Sequence, residues 1–140
     1  MPSLSHRIRV FVYRVAQGRP DYLLLRSAQG IEGCWTPIHG PIGFGEKLET
    51  AIRREVMDDI GLARPNRLID LEMPTRWLVG DEEVIEWVFG FQAVPVDGDL
   101  RVAKRWSDFR WVHFPEAYPS LELEYDRAAI TRLHTLLHAA

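Results

Sequence analysis

The sequence predicts an α/β fold in which a mixed β-sheet is sandwiched between helices. Three observations predict it. Strand-forming runs bounded by turn residues recur at 6–15, 22–26, 84–94 and 109–114. An amphipathic helix follows a glycine-rich loop in the first half, and a second amphipathic helix closes the chain. The chain has 140 residues, 46% of them apolar, which suits one compact domain over 1–140 with a real core.

His6 to Val15 alternates as a strand does, with Ile8, Val10 and Val12 on one face and Arg7, Arg9, Phe11 and Tyr13 on the other. Arg7 and Arg9 could meet phosphate, although an ordinary solvated strand face is the commoner role for exposed arginines. Gln17 to Asp21 reads as a turn, and Tyr22 to Arg26, apolar through Leu23, Leu24 and Leu25, as a central strand. Ser27 to Gly33 is a loop of mainly small residues. Trp35, entering β-structure after it, fits core packing better than base stacking.

Gly40 to Leu62 organises the rest. Gly40, Gly43 and Gly45 make a loop, a helix follows, and Gly61 is a natural stop. Ile52, Val56 and Ile60 form a stripe that buries against a sheet. Glu55, Asp58 and Asp59, at spacings of three and four residues, share the neighbouring flank. Carboxylates so placed repel one another unless a positive charge joins them. The arrangement suits a hard divalent cation, which prefers oxygen ligands and bridges protein carboxylates to substrate phosphates.

After the helix, 63–66 is a turn, Arg67 to Val79 is extended, and Gly80 to Glu83 is an acidic turn leading into a strong strand, Val84 to Val94. Glu82, Glu83 and Glu86 are candidates for a further metal ligand or base, although acidic turns are usually just solvated. Trp77 and Trp87 could build an aromatic pocket, with core packing the better role for Trp87. A turn at 95–99 precedes the strand Phe109 to Phe114. Lys104 and Arg105 could neutralise a polyphosphate or be plain surface charge, and Asp108 stands close by. Pro115 starts a short turn or helix. From Leu121 onward Ala128, Ala129, Leu133, Leu136 and Leu137 mark the terminal helix. His134 and His138 have the spacing of a helical metal pair, but with no third ligand, exposure or interaction with the helix dipole accounts for them better.

A net charge of −3 gives no support to a nucleic-acid-binding surface. Cys34 is the only cysteine, which excludes an internal disulfide and fits a reducing compartment. No signal peptide and no membrane-spanning apolar run is visible, so a cytoplasmic protein without nucleic-acid or membrane partners is expected, as a monomer or homodimer.

At Gly40–Leu62 the residues also meet a family pattern. Gly40, Glu46, Arg54, Glu55, Val56, Gly61 and Leu62 stand at the spacing of the Nudix hydrolase signature over twenty-three positions, with Asp58-Asp59 in place of its Glu-Glu pair. The chain resembles that family, and beyond the motif its hydrophobic pattern is similar to the diadenosine-tetraphosphate hydrolase branch and to dihydroneopterin-triphosphate or dATP pyrophosphohydrolases. The resemblance implies the Nudix fold, an α/β/α sandwich with a mixed sheet. It also implies Mg2+ or Mn2+ as cofactor and a small-molecule nucleotide or polyphosphate substrate cleaved at a pyrophosphate linkage. Glu55 becomes the central metal ligand or base, and Asp58 and Asp59 complete the site. Glu46 supports it directly or from behind, and Arg54 pairs with an acid to aim Glu55. The His39 backbone carbonyl joins the metal shell and Gly40 of the motif faces substrate, beside the candidates Lys104, Arg105, Arg7, Arg9 and Trp77 that their own charge and aromatic character single out.

Three further departures accompany the aspartates: Ile38-His39 replaces Pro-Gly before the motif, Gly43 replaces a glutamate, and Arg105 replaces a glutamate six residues before Trp111. Together they motivate an alternative, a Nudix domain that binds a phosphorylated ligand without useful hydrolysis.

Overall fold

The computed structural model of the chain describes residues 3–27, 34–94 and 100–138. Among the described residues eight strands form one sheet: β1 (Ser3–Ala16), β2 (Arg19–Ser27), β3 (Trp35–Thr36), β4 (Ile38–Pro41), β5 (Pro65–Asp70), β6 (Thr75–Val79), β7 (Glu82–Ala93) and β8 (Trp106–Val112). Three helices among the same described residues accompany them: α1 (Leu48–Ile60), α2 (Phe114–Ser120) and α3 (Glu124–His138). The sheet is mixed because β1 runs parallel to β7 from Ser3 to Tyr13 while β2 and β4 pair with β1 antiparallel.

The alternation along β1 sets the layers. Ile8, Val10 and Val12 pack in one core with Ala51, Ile52, Val56 and Ile60 of α1. Phe11 and Tyr13, pointing the other way, pack with Ala129, Ile130 and Leu133 of α3. The result is the expected α/β/α sandwich. Helix α1 ends as the sequence requires: Gly61 adopts φ 76° and its N–H donates to the Met57 carbonyl.

Some boundaries differ from the sequence reading for local reasons. Gln17 (φ 55°) and Gly18 (φ 75°) reverse the chain in two residues, so β2 already begins at Arg19 and Pro20 pairs with Val15. The run at 67–79 is two strands, both paired with β7, divided at a residue in the left-handed region (Glu72, φ 54°) followed by Pro74. β8 starts earlier, at Trp106, and Phe114 opens α2, with Pro115 in its first turn. His134 is not simply exposed, since its ring stacks on Phe114 at 4.2 Å and its Nδ1 lies 2.6 Å from the Tyr22 hydroxyl. The 95–99 turn and positions 28–33 of the first loop lie outside the described residues.

Arg9 is the larger departure. The face of β1 read as solvated is covered by α3, and Arg9 is only 8% exposed. Asp126, in the first turn of α3, accepts from Arg9 Nε at 2.5 Å and from Nη2 at 2.6 Å, and Glu86 on β7 lies 3.9 Å away. The two-pronged pairing makes this burial tolerable, because a guanidinium out of water needs its charge and its donors matched. Asp126→Ala strands Arg9, and a urea titration is expected to show a loss of about 3–5 kcal/mol of unfolding free energy.

Candidate active site

The loop entering α1 is built around Arg54. Its Nε donates to Glu46 Oε2 at 2.9 Å, and one Nη2 donates to both Glu46 Oε1 at 3.0 Å and the Pro41 carbonyl at 2.9 Å. Glu46 also accepts from the Gly43 N–H at 2.8 Å, folding the glycine turn back on itself. These contacts, the Arg54 pairing first, hold the Glu46 carboxyl down to about 2. The same arginine reaches Glu55 Oε1 at 2.8 Å through Nη1. Arg54 therefore pairs with two acids, Glu46 and Glu55, and braces Glu55 against the loop. A cleft of about 530 Å³ opens beside the turn, lined among others by His6, Phe44, Glu46 and Trp87.

The three acids of α1 do not share one environment. Glu55 and Asp59, four residues apart, are 7% and 3% exposed, whereas Asp58 is open to solvent. Successive helical residues are about 100° apart, so Asp59 stands about 40° from Glu55 toward the buried stripe of Ile52, Val56 and Ile60, while Asp58 stands about 60° from it on the other side, toward solvent. Gly40 makes room for Glu55. A Cβ there would stand 2.8 Å from Glu55 Oε2 and closer still to Oε1.

The charge that joins the two buried acids is Arg105. Its Nε donates to Asp59 Oδ1 at 2.9 Å, one Nη2 donates to Asp59 Oδ2 and to the His39 carbonyl at 3.1 Å, and that same nitrogen lies 3.7 Å from Glu55 Oε2. His39 supplies its carbonyl without strain, because among the described residues only Gln17 and Glu72 are non-glycine positions with positive φ. Its ring lies beside Arg7, with 3.4 Å between Arg7 Nη2 and His39 Nδ1. Burial above all, then the guanidiniums of Arg9, Arg7 and Arg105, push the imidazole down to about 4.

Other candidates fall elsewhere. Glu86 is buried between Arg7 and Arg9, each 3.9 Å away, and burial raises its pKa against their pull. Glu83 pairs with Arg76 on the surface at 3.1 Å, and Asp108 pairs with Arg26 at 3.3 Å. Trp77 is exposed on β6, and Lys104 is exposed immediately before Arg105. Trp87 packs against the α1-side core while its Nε1 donates to His6 at 3.2 Å. Missed from the sequence were Asp126 and, as partners of Trp87 in the aromatic cleft in place of Trp77, His6 and Phe44. The only signal for either was an acid in a helix's first turn and aromatics near the glycine loop.

The NUDIX domain profile matches residues 5–133. The chain belongs to the Nudix hydrolase family. Nucleoside triphosphatase NudI of Escherichia fergusonii is 28% identical over 141 residues, spanning 90% of this chain and 93% of that protein. Among solved structures, a C. elegans Ap4A hydrolase binary complex has a TM-score of 0.75 at 16% identity, covering 97% of this chain and 99% of the other. The E. coli dihydroneopterin triphosphate pyrophosphohydrolase has a TM-score of 0.78 at 18% identity, covering 94% and 95%. Both share the fold.

As a Nudix-type pyrophosphohydrolase, the chain can be asked whether its residues fit the divalent ion such enzymes generally use. Among the described residues no three His, Cys, Asp or Glu side chains are grouped to hold a metal. Two buried carboxylates and a main-chain carbonyl nevertheless converge on one positive charge, the guanidinium of Arg105. All three are oxygen donors, the chemistry a hard cation requires, so the set fits. The Nudix glycine offers a direct check. Gly40→Ala drives a Cβ into the buried, Arg54-held carboxylate of Glu55, so circular dichroism melts are expected to show a lowered Tm with the fold retained. Steady-state assays should show kcat falling on the order of a hundredfold through misplacement of that carboxylate.

Proposed function

We propose that this Nudix enzyme is a divalent-metal-dependent hydrolase of a pyrophosphate linkage in a nucleoside-diphosphate-linked compound, a nucleoside triphosphate or dinucleoside polyphosphate, using Mg2+ or Mn2+. The observation that carries it is the convergence of Glu55, Asp59 and the His39 carbonyl on a single cationic position behind a glycine turn. A pyrophosphate bond resists water because its anionic oxygens repel a nucleophile, so charge neutralisation is the main requirement. When bound, the ion supplies that neutralisation and makes its coordinated water more acidic.

The chain's residues divide the remaining work. Glu55, Asp59 and the His39 carbonyl hold the ion, with Asp58 next to them on the solvent side. Glu46 and Arg54 keep Glu55 aimed and the turn closed. Lys104 and Arg105 offer positive charge to the phosphate chain from the lead-in to β8. The aromatic cleft beside Glu46 has the volume of a small-ligand site and suits a nucleoside. The nucleoside triphosphatase named for the E. fergusonii relative and the Ap4A and dihydroneopterin triphosphate substrates named for the structural neighbours agree with this class.

The test is turnover with Mg2+ or Mn2+ of nucleoside triphosphates, read as phosphate after added inorganic pyrophosphatase, and of dinucleoside polyphosphates, which split into two mononucleotides, read as phosphate after added alkaline phosphatase. Saturable turnover that falls by about 10²–10⁴ in Glu55→Gln is expected, the range for losing a positioned proton-transfer group. Nucleotide binding without turnover under either metal would instead support a non-hydrolysing binder.

A further inference from the structure

We propose that Arg105 is a tethered cation that holds the acidic shell in the free protein and that a divalent ion must displace in order to bind. The inference rests on the metal-dependent reading above and adds how that site is kept and opened. The guanidinium touches every donor assigned to the ion: both Asp59 oxygens, the His39 carbonyl at 3.1 Å and Glu55 Oε2 at 3.7 Å. Two cations cannot share those oxygens, since like charges a few ångströms apart in a partly buried setting repel strongly.

The position of Arg105 is built into the backbone. The Arg101 N–H donates to the Ile60 carbonyl at 3.2 Å and the Ala103 N–H to the Asp59 carbonyl at 2.8 Å, which fastens the lead-in to β8 across the end of α1. The Trp106 N–H closes a turn onto the Ala103 carbonyl at 3.0 Å, and the Arg105 guanidinium lies 4.7 Å from the centre of the Trp106 ring. The root of the side chain is fixed over Asp59, while its half-exposed head is held there only by contacts that rotation about its own torsions can break.

Exposure gives the direction of exchange. The Arg105 side chain is 45% exposed, against 5% for Asp59 and 9% for Glu55. The arginine can rotate into water through its own torsions, whereas the acids cannot leave without unpacking α1. A phosphate chain arriving with the ion gives the displaced guanidinium a new two-pronged anionic partner. Arg105 thus guards the shell in the free protein and grips phosphate in the loaded one. Its presence weakens binding of the bare ion, so a phosphate ligand and the ion favour each other reciprocally.

The experiment measures Mn2+ alone binding to the full chain, by the free-ion electron paramagnetic resonance signal, in wild type, Arg105→Gln and Arg105→Lys. Arg105→Gln is expected to bind Mn2+ roughly tenfold or more tightly than wild type, a change of about 1.4 kcal/mol per tenfold. Lysine keeps the charge but loses the fork, so Arg105→Lys should fall between them. Mn2+ should also raise the Tm of Arg105→Gln more than that of wild type, because the ion replaces the missing charge. If the glutamine variant does not fold, the lysine variant carries the comparison. Equal affinity in the folded proteins overturns the proposal, and the hydrolase reading survives if Mn2+ binds and nucleotide is turned over. No Mn2+ binding in any of them, together with no turnover, overturns both.

Discussion

Glu55 and Asp59 are buried on the inward flank of α1, and an ionised carboxylate removed from water without a partner costs several kcal/mol. That constraint organises much of what surrounds them. Their burial follows from the helix itself, since Ile52, Val56 and Ile60 must face the sheet and the two acids lie next to that stripe. The surroundings then answer the charge. Arg54 reaches Glu55 from the same helix, Arg105 reaches Asp59 from the lead-in to β8, and Gly40 leaves the volume that the Glu55 carboxylate fills. Loop, helix and strand are placed by the same two charges.

The opposite face of the sheet carries a second buried ionic group, Arg9 with Asp126 and Glu86, and β4 stands between the two. His39 belongs to both. Its carbonyl meets Arg105 on the side of α1, and its ring lies against Arg7 on the side covered by α3. A glycine at this position could offer the same carbonyl. The imidazole adds packing that ties the turn to the ionic layer, and burial among guanidiniums keeps the ring neutral near pH 7.

The layers, the Nudix helix and its glycine stop were readable because each rests on local periodicity: alternation in β1, the apolar stripe of α1, and Gly61 where a left-handed residue is needed. What escaped reading depended on contacts distant in sequence. Arg9 has the pattern of a solvated strand residue until α3 brings Asp126 across it, 117 positions away. Arg105 could be recognised as standing where relatives place an acid, but its lodging on Asp59 depends on the main-chain bonds that fasten 101–103 to the end of α1. The separation of Asp58 from Glu55 and Asp59 turns on the width of the buried flank, which spacing alone leaves open. For Asp108 and Glu83, proximity in sequence was outweighed by nearer arginine partners.

The most direct measurement is the anomalous diffraction of a crystal soaked with Mn2+ and a non-hydrolysable nucleoside triphosphate analogue. The expected map places manganese against Glu55, Asp59 and the His39 carbonyl, with the guanidinium of Arg105 turned from Asp59 onto the phosphates. Manganese bound elsewhere, with Arg105 still seated on Asp59, would contradict the assignment of this acidic shell as the centre of the reaction.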